Sequence, residues 1–191
     1  MKTHENSNEK DERKDEKQAV LKAVLKGNTV VVPSSENLEG LLSRGYGTPQ
    51  NGDLTLSYCE ALYLVDKGII EVRCEESNVS LDFQGLLAKA KNVDKDAWVR
   101  FLLYRDLRGR GYVVREGFSL GIDFRVYKRG EYGKSTADYI VFGIKEGQPL
   151  AIEDLSKSLT HAQSLKKTLI LSVLNRRGEI VYYSLSRLTF K

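Results

Sequence analysis

The chain has 191 residues, 41% of them hydrophobic, enough for one large core or two small ones. A net charge of +4 and a pI near 8.9 make it mildly basic, which permits a nucleic-acid partner without demanding one, because charge placement matters more than the sum. The two cysteines, Cys59 and Cys74, form no CxxC or Cys/His cluster, and no apolar run approaches bilayer-spanning length. Zinc-site and transmembrane classes fall away, and a soluble cytoplasmic protein with reduced thiols is expected.

In chain order, residues 1–18 (MKTHENSNEKDERKDEKQ) carry no large apolar residue after Met1. They are expected to form a disordered charged tail or a frayed extension of the next element, with His4 a solvated bystander. AVLKAVLKGNTVVV sets Gly27-Asn28 between two apolar runs, which fits a hairpin or a short helix-to-strand turn. Ser34 or Ser35 would cap a helix over ENLEGLLSRG, closed by Gly45. In the next block Leu54 and Leu56 predict a strand. Ala61, Leu62 and Leu64 predict an amphipathic helix with Glu60 on its polar side, and IIEVR predicts a strand after Gly68. Tyr46, Tyr58 and Tyr63 read as core or interface aromatics. SLDFQGLLAKA and DKDAWVRFLLYRD predict two helices, and KNVDKD between them is the expected domain boundary, near residue 94. Trp98 reads as core, with a base-stacking platform as the alternative.

From Tyr104 to Val141 the chain reads YRDLRGRGYVVREGFSLGIDFRVYKRGEYGKSTADYIV. A basic segment (Arg105, Arg108, Arg110) surrounds Gly109 and Gly111. Two strand-like runs come next, Tyr112–Val114 and Asp123–Tyr127, with Gly117 and Gly121 marking turns. After a polar loop comes DYIVFGI. A helix is then predicted from Ala151 through THAQSLKKTLILSVL, with Leu165, Ile170 and Leu171 toward the core and Lys166 and Lys167 near its middle. A turn at NRRG and a strand over EIVYYSL close the chain. On the residues alone, this half is a β-meander with a basic edge crossed by one long helix.

The order YRDLRxRGY, GxxxGxDFRVY, [DE]Y[IL]V, HAQSLKKTLILSV and EIVYYSLSR resembles the C-terminal catalytic domain of archaeal tRNA-intron splicing endonucleases, closely from about Trp98 to Arg187. YG…L.L...EALYL is similar to their N-terminal domain. The resemblance implies a mixed α/β (α+β) fold, with residues 19–94 forming a small N-terminal domain and 95–191 a restriction-nuclease-like C-terminal domain. It implies RNA cleavage without metal or other cofactor. A base takes the proton of a ribose 2′-OH, which attacks the adjacent phosphate, and an acid protonates the departing 5′ oxygen. A cation steadies the added charge, and the products are a 2′,3′-cyclic phosphate and a 5′-hydroxyl. No P-loop, GxGxxG with a downstream acid or HExxH motif is present to support nucleotide or metal chemistry instead.

Carried over residue by residue, the family's tyrosine falls on Tyr127, its lysine on Lys167 and its histidine on Thr136. A threonine hydroxyl ionises far above neutrality and cannot replace an imidazolium as proton donor. His161, six residues ahead of Lys167, is not a position that the family pattern uses. An arginine that clamps a bulge base in cutting members is here Thr160. The expectation is therefore a structural subunit, inactive alone, with Tyr127 and Lys167 vestigial. The alternatives are the cutting subunit itself or a stand-alone RNA-binding module. Arg105, Arg108, Arg110, Arg115 and Arg129 are expected to face phosphate, or else to form a solvated basic loop.

The last strand places Ile180, Tyr182 and Ser184 on one face and Val181, Tyr183 and Leu185 on the other. An apolar edge near the chain end needs pairing, and the resemblance implies pairing between subunits. Ile180, Val181, Tyr182, Tyr183 and Leu185 are the expected interface. The family's acidic plug before this strand is here the basic NRRGE, so unlike partners are expected. They are a catalytic endonuclease subunit in an α2β2 heterotetramer, and precursor tRNA, with no membrane.

Overall fold

The computed structural model describes residues 20–117 and 122–188; the charged tail with His4 and the turn at Gly121 lie outside the described residues. Its first half is a six-stranded sheet. At Gly27-Asn28 the chain makes a hairpin, with Gly27 at φ +55°, joining β1 (Leu21–Lys26) to β2 (Thr29–Val32). The expected helix after Pro33 shrinks to one turn, α1 (Glu39–Leu42), and neither Ser34 nor Ser35 caps it. The Ser34 amide instead donates to Asp53 at 2.8 Å, and Leu38 holds the cap position. Next in the chain are β3 (Thr48–Gln50), β4 (Asp53–Leu56), α2 (Tyr58–Asp66), β5 (Ile70–Cys74), β6 (Ser80–Leu81) and α3 (Phe83–Val93). The order is β3-β4-β2-β1-β5-β6, with only β1 and β5 parallel among these pairs. Period-two alternation buries Val30, Val32, Leu54, Leu56, Ile70 and Val72 beneath α2 and α3.

Helix α4 (Ala97–Gly109) serves two cores. Ala97, Phe101 and Leu102 pack into the first, whereas Val99, Leu103, Tyr104 and Leu107 pack into the second. Residue 94 lies in the turn just before it. Trp98 stacks against Phe101 and meets Phe83 edge-on, yet remains 39% exposed, so it is only half the core residue expected.

The second sheet has the order β11-β10-β9-β8-β7, built from β7 (Val113–Glu116), β8 (Phe124–Tyr127), β9 (Tyr139–Lys145), β10 (Thr168–Leu174) and β11 (Ile180–Leu185). β9 and β10 run parallel, joined by α5 (Ile152–Ser164) as crossover, and the other pairs are antiparallel. The long helix expected through Leu174 is thus two elements. α5 ends in a Schellman motif, in which the Lys166 amide bonds Gln163 O and the Lys167 amide bonds Ala162 O, both at 2.9 Å. The left-handed position is Lys166 at φ +55°, where glycine is the usual residue, so the sequence carried no stop signal. α4 covers one face of this sheet through Val114, Phe124, Val126 and Val141, and α5 covers part of the other through Ile140 and Leu169. Gly143 lets α4 approach closely: a Cβ there would stand 2.2 Å from Leu103 Cδ1.

The halves are pinned together by Glu60 and Arg115. Glu60 does not sit on a polar helix face as expected; it is 4% exposed and receives Arg115 Nη1 at 2.7 Å, with the Gly47 and Ser57 amides at 3.1 and 2.9 Å. Ser57 and Glu60 also close a capping box at the start of α2.

Candidate active site

One end of the second sheet gathers the family-matching positions. Tyr127 is the last residue of β8, Thr136 lies three residues before β9, and Lys167 lies immediately before β10. Antiparallel β8–β9 and parallel β9–β10 pairing puts these three strand ends side by side. They line one cavity of about 360 Å³ on the α5 face, together with Arg125, Ser135, Ala137, Ile140, His161 and Leu165. Lys167 Nζ donates to Thr136 Oγ1 at 2.5 Å. Tyr127 is buried to 8% exposure and meets Tyr132 edge-on at 5.1 Å between centroids. The sequence therefore picked out three residues that the fold does bring together.

His161 also reaches this cavity. It stands on the last turn of α5, half-buried, one turn before Leu165, which lines the same wall. No hydrogen bond to its imidazole occurs among the described residues. Arg125 was not singled out in the sequence, although strand alternation puts it on the same face as Tyr127, two residues away. Its Nε donates to Glu116 O at 3.0 Å.

The expected phosphate-facing arginines divide into two sets. Arg115 is committed inside the molecule, with Nη1 on Glu60 and Gly45 O and Nη2 on Thr48 Oγ1, and its side chain only 12% exposed. Arg108 stacks 3.9 Å above the Tyr46 ring and donates to Arg44 O and Tyr112 O. Arg110 is held by Asp106 at 2.7 Å over the Tyr182 ring. Arg105 and Arg129 are exposed and make no ion pair among the described residues. The basic loop is thus largely the end of a helix whose arginines bind the protein's own carbonyls and carboxylates.

The expected interface strand also divides. Ile180 and Tyr182 face α4 and pack into the internal cores, and the Tyr182 hydroxyl donates to Asp106 at 2.6 Å. Burial and that carboxylate raise the Tyr182 phenol above its ordinary range. Val181 and Tyr183 face the other way and are 40% and 50% exposed, while Leu185 packs toward α5. Register extends their face across the sheet, with Val173 and Ile144 beside Val181, and Leu171 and Phe142 beside Tyr183. These residues form one half-open apolar sheet face, of which the strand contributes one edge.

Comparison with known proteins agrees with this architecture. Residues 97–182 match the family model of the tRNA intron endonuclease catalytic C-terminal domain, and residues 21–87 match that of its N-terminal domain. The chain belongs to the tRNA intron endonuclease family. It is 34% identical over 159 residues to a tRNA-splicing endonuclease of Methanococcus maripaludis, covering 83% of this chain and 89% of that protein. A Pyrococcus furiosus tRNA-splicing endonuclease is 36% identical over 142 residues, 74% of this chain and 81% of that one. For a Methanococcoides burtonii relative, 34% identity over 143 residues covers 74% of this chain and 39% of the relative. Among the described residues, no helix is long and apolar enough to cross a membrane.

Proposed function

We propose that this chain is the structural subunit of a heteromeric tRNA-splicing endonuclease that excises introns from precursor tRNA at bulge-helix-bulge sites. One observation carries the reading: the position that matches the family's histidine holds Thr136, hydrogen-bonded to the very lysine that would steady the phosphorane. A hydroxyl there offers no proton at neutral pH, and loss of a general acid costs on the order of 10²- to 10⁴-fold in rate. A complex that cuts then needs its full set of groups from another chain.

The exposed Val181 and Tyr183, with Leu171 and Val173 half-buried beside them, support assembly through this sheet, because an open apolar patch favours a partner that covers it. Preference for an unlike partner rests on Thr136 and on the basic NRRGE turn where the family resemblance implies an acidic one. The cavity of about 530 Å³ between the halves holds Arg100, Arg115 and Arg125 but also Asp94, Glu60 and Glu116. Its lining carries charges of both signs. In this reading the chain is the non-cutting pair of an α2β2 heterotetramer.

A second reading has one observation in its favour, the His161 imidazole in the cleft. Under it the chain cuts by itself. The deciding experiment incubates a bulge-helix-bulge RNA with the purified chain alone and with a co-expressed partner carrying the full Tyr, His and Lys set. The structural reading expects cleavage only with the partner. Excision by the lone chain, lost by 10²- to 10⁴-fold in His161→Ala, establishes the second reading.

A further inference from the structure

The end of the sheet that carries the cleft has a second concavity on its opposite face, where α4 stops short. Its floor is Val126, Val141 and Ile170, and its walls are Tyr112, Tyr139 and Tyr182, enclosing about 260 Å³. Tyr112 and Tyr139 meet edge-on at 6.2 Å between centroids and an angle of 89°, presenting differently oriented aromatic surfaces. Two cations stand over these rings, Arg110 at 5.3 Å from the Tyr182 centroid and Lys128 at 5.8 Å from that of Tyr139. Both are held in place, Arg110 by Asp106 and Lys128 by Asp138 at 3.2 Å. Arg129 succeeds Lys128 in an exposed turn.

Resting on the reading of this chain as a precursor-tRNA-binding subunit, we propose that this tyrosine-walled groove takes an unpaired nucleobase of the RNA. Three observations favour that occupant. The walls are aromatic faces, and stacking on them tolerates any base because every base has a π-face. The hydroxyls of Tyr112 and Tyr139 make no hydrogen bond among the described residues, so a ring with polar edges finds partners that an aliphatic side chain would leave unused. Arg129, exposed beside Lys128 at the rim and without an ion pair among the described residues, meets a phosphodiester chain passing the sheet end. The groove also stands back to back with the cleft. Val126 and Tyr127 are successive residues of β8, and Tyr139 and Ile140 of β9, the first of each pair facing the groove and the second the cleft. One RNA strand wrapping this sheet end can place a phosphate at the cleft and a nearby base in the groove.

The test measures binding of a short single-stranded oligoribonucleotide to the full chain by fluorescence anisotropy at low salt, beside a matched oligonucleotide with abasic sites. Loss of the bases is expected to weaken binding about 5- to 100-fold, Tyr139→Ala to do the same, and Tyr139→Phe to keep most of it, since the ring still stacks and only the one hydroxyl contact is lost. A 4-thiouridine oligonucleotide should crosslink to Tyr112 or Tyr139 of the unmutated chain, a readout independent of how the variants fold. Equal binding of abasic and base-bearing strands, no saturable binding of either, or crosslinks confined elsewhere overturns the proposal. Binding is read without partner and without cleavage, so a lone chain that cut RNA would refute the structural-subunit reading and leave this result standing.

Discussion

Removing the carboxylate of Glu60 should loosen the joint between the two halves more than any surface change. The group is 4% exposed, accepts two backbone amides, and pairs at 2.7 Å with a guanidinium whose own side chain is 12% exposed. Glu60→Ala leaves that guanidinium without its counter-ion and orphans the Gly47 and Ser57 amides. Breaking a buried pair from one side costs about 3–5 kcal/mol. At roughly 2–4 °C per kcal/mol for a chain of this size, Tm falls by about 6–20 °C. Thermal and urea melts at neutral pH measure it. The pH dependence gives an independent check through Arg115→Ala. Burial raises the Glu60 carboxyl, and Arg115, together with the Ser57 and Gly47 amides, pulls it back. Without Arg115 its folded pKa rises further above the unfolded value. A carboxyl raised on folding loses stability as pH climbs from the unfolded toward the folded pKa. The Arg115→Ala penalty is therefore smaller at mildly acidic pH than at pH 7. A Glu60→Ala loss below about 1 kcal/mol, or an Arg115→Ala penalty that shrinks toward neutrality, would refute the latch.

Single residues elsewhere in the fold set three other outcomes. Val181→Lys with Tyr183→Lys puts two charges on the open sheet face, so co-purification with the catalytic partner should be lost while the melting curve of the chain is kept. Arg105→Ala and Arg129→Ala should each weaken RNA binding and reduce its salt slope by about 1, whereas Arg108→Ala, which removes the stack on Tyr46, should lower Tm instead. Gly143→Ala sets a methyl against Leu103 Cδ1 and should destabilise by about 1–3 kcal/mol by thermal melt, with retention of full stability counting against the tight α4 packing.

The sequence disclosed the features carried by alternation and by local signals. The β1–β2 hairpin was one of two readings at Gly27-Asn28, and the strands over VVRE, FRVY and EIVYYSL lay within or overlapped the expected runs. The ordered blocks singled out Tyr127, Thr136 and Lys167, which the fold gathers at one end of the sheet, although Lys167 was expected in mid-helix and lies just before β10. The split of α5 and β10 was hidden because TLILSVL, a short apolar run, satisfies both periods and Lys166 occupies the left-handed position without a glycine. His161 was set aside as a helix residue six positions ahead of Lys167 that the family pattern does not use; that the helix end folds back against a strand start is a tertiary fact. Arg115 and Glu60 looked like surface charges because their partners are 55 residues apart in the chain. Nothing local announces such a pairing. For the same reason the face of β11 that stays open could be named as an alternation, but which face α4 covers could not.

The central question is whether this chain's own cleft contributes to cutting once the complex is assembled. Single-turnover cleavage of a bulge-helix-bulge RNA should be measured for the heteromer with Tyr127→Phe, His161→Ala and Lys167→Ala all placed in this chain and the partner unaltered. A structural subunit predicts a rate within about twofold of the unaltered complex, since general acid–base groups that act typically contribute 10²-fold or more. A loss of 10²-fold or more, with assembly intact, would contradict it and place the working site in this cleft.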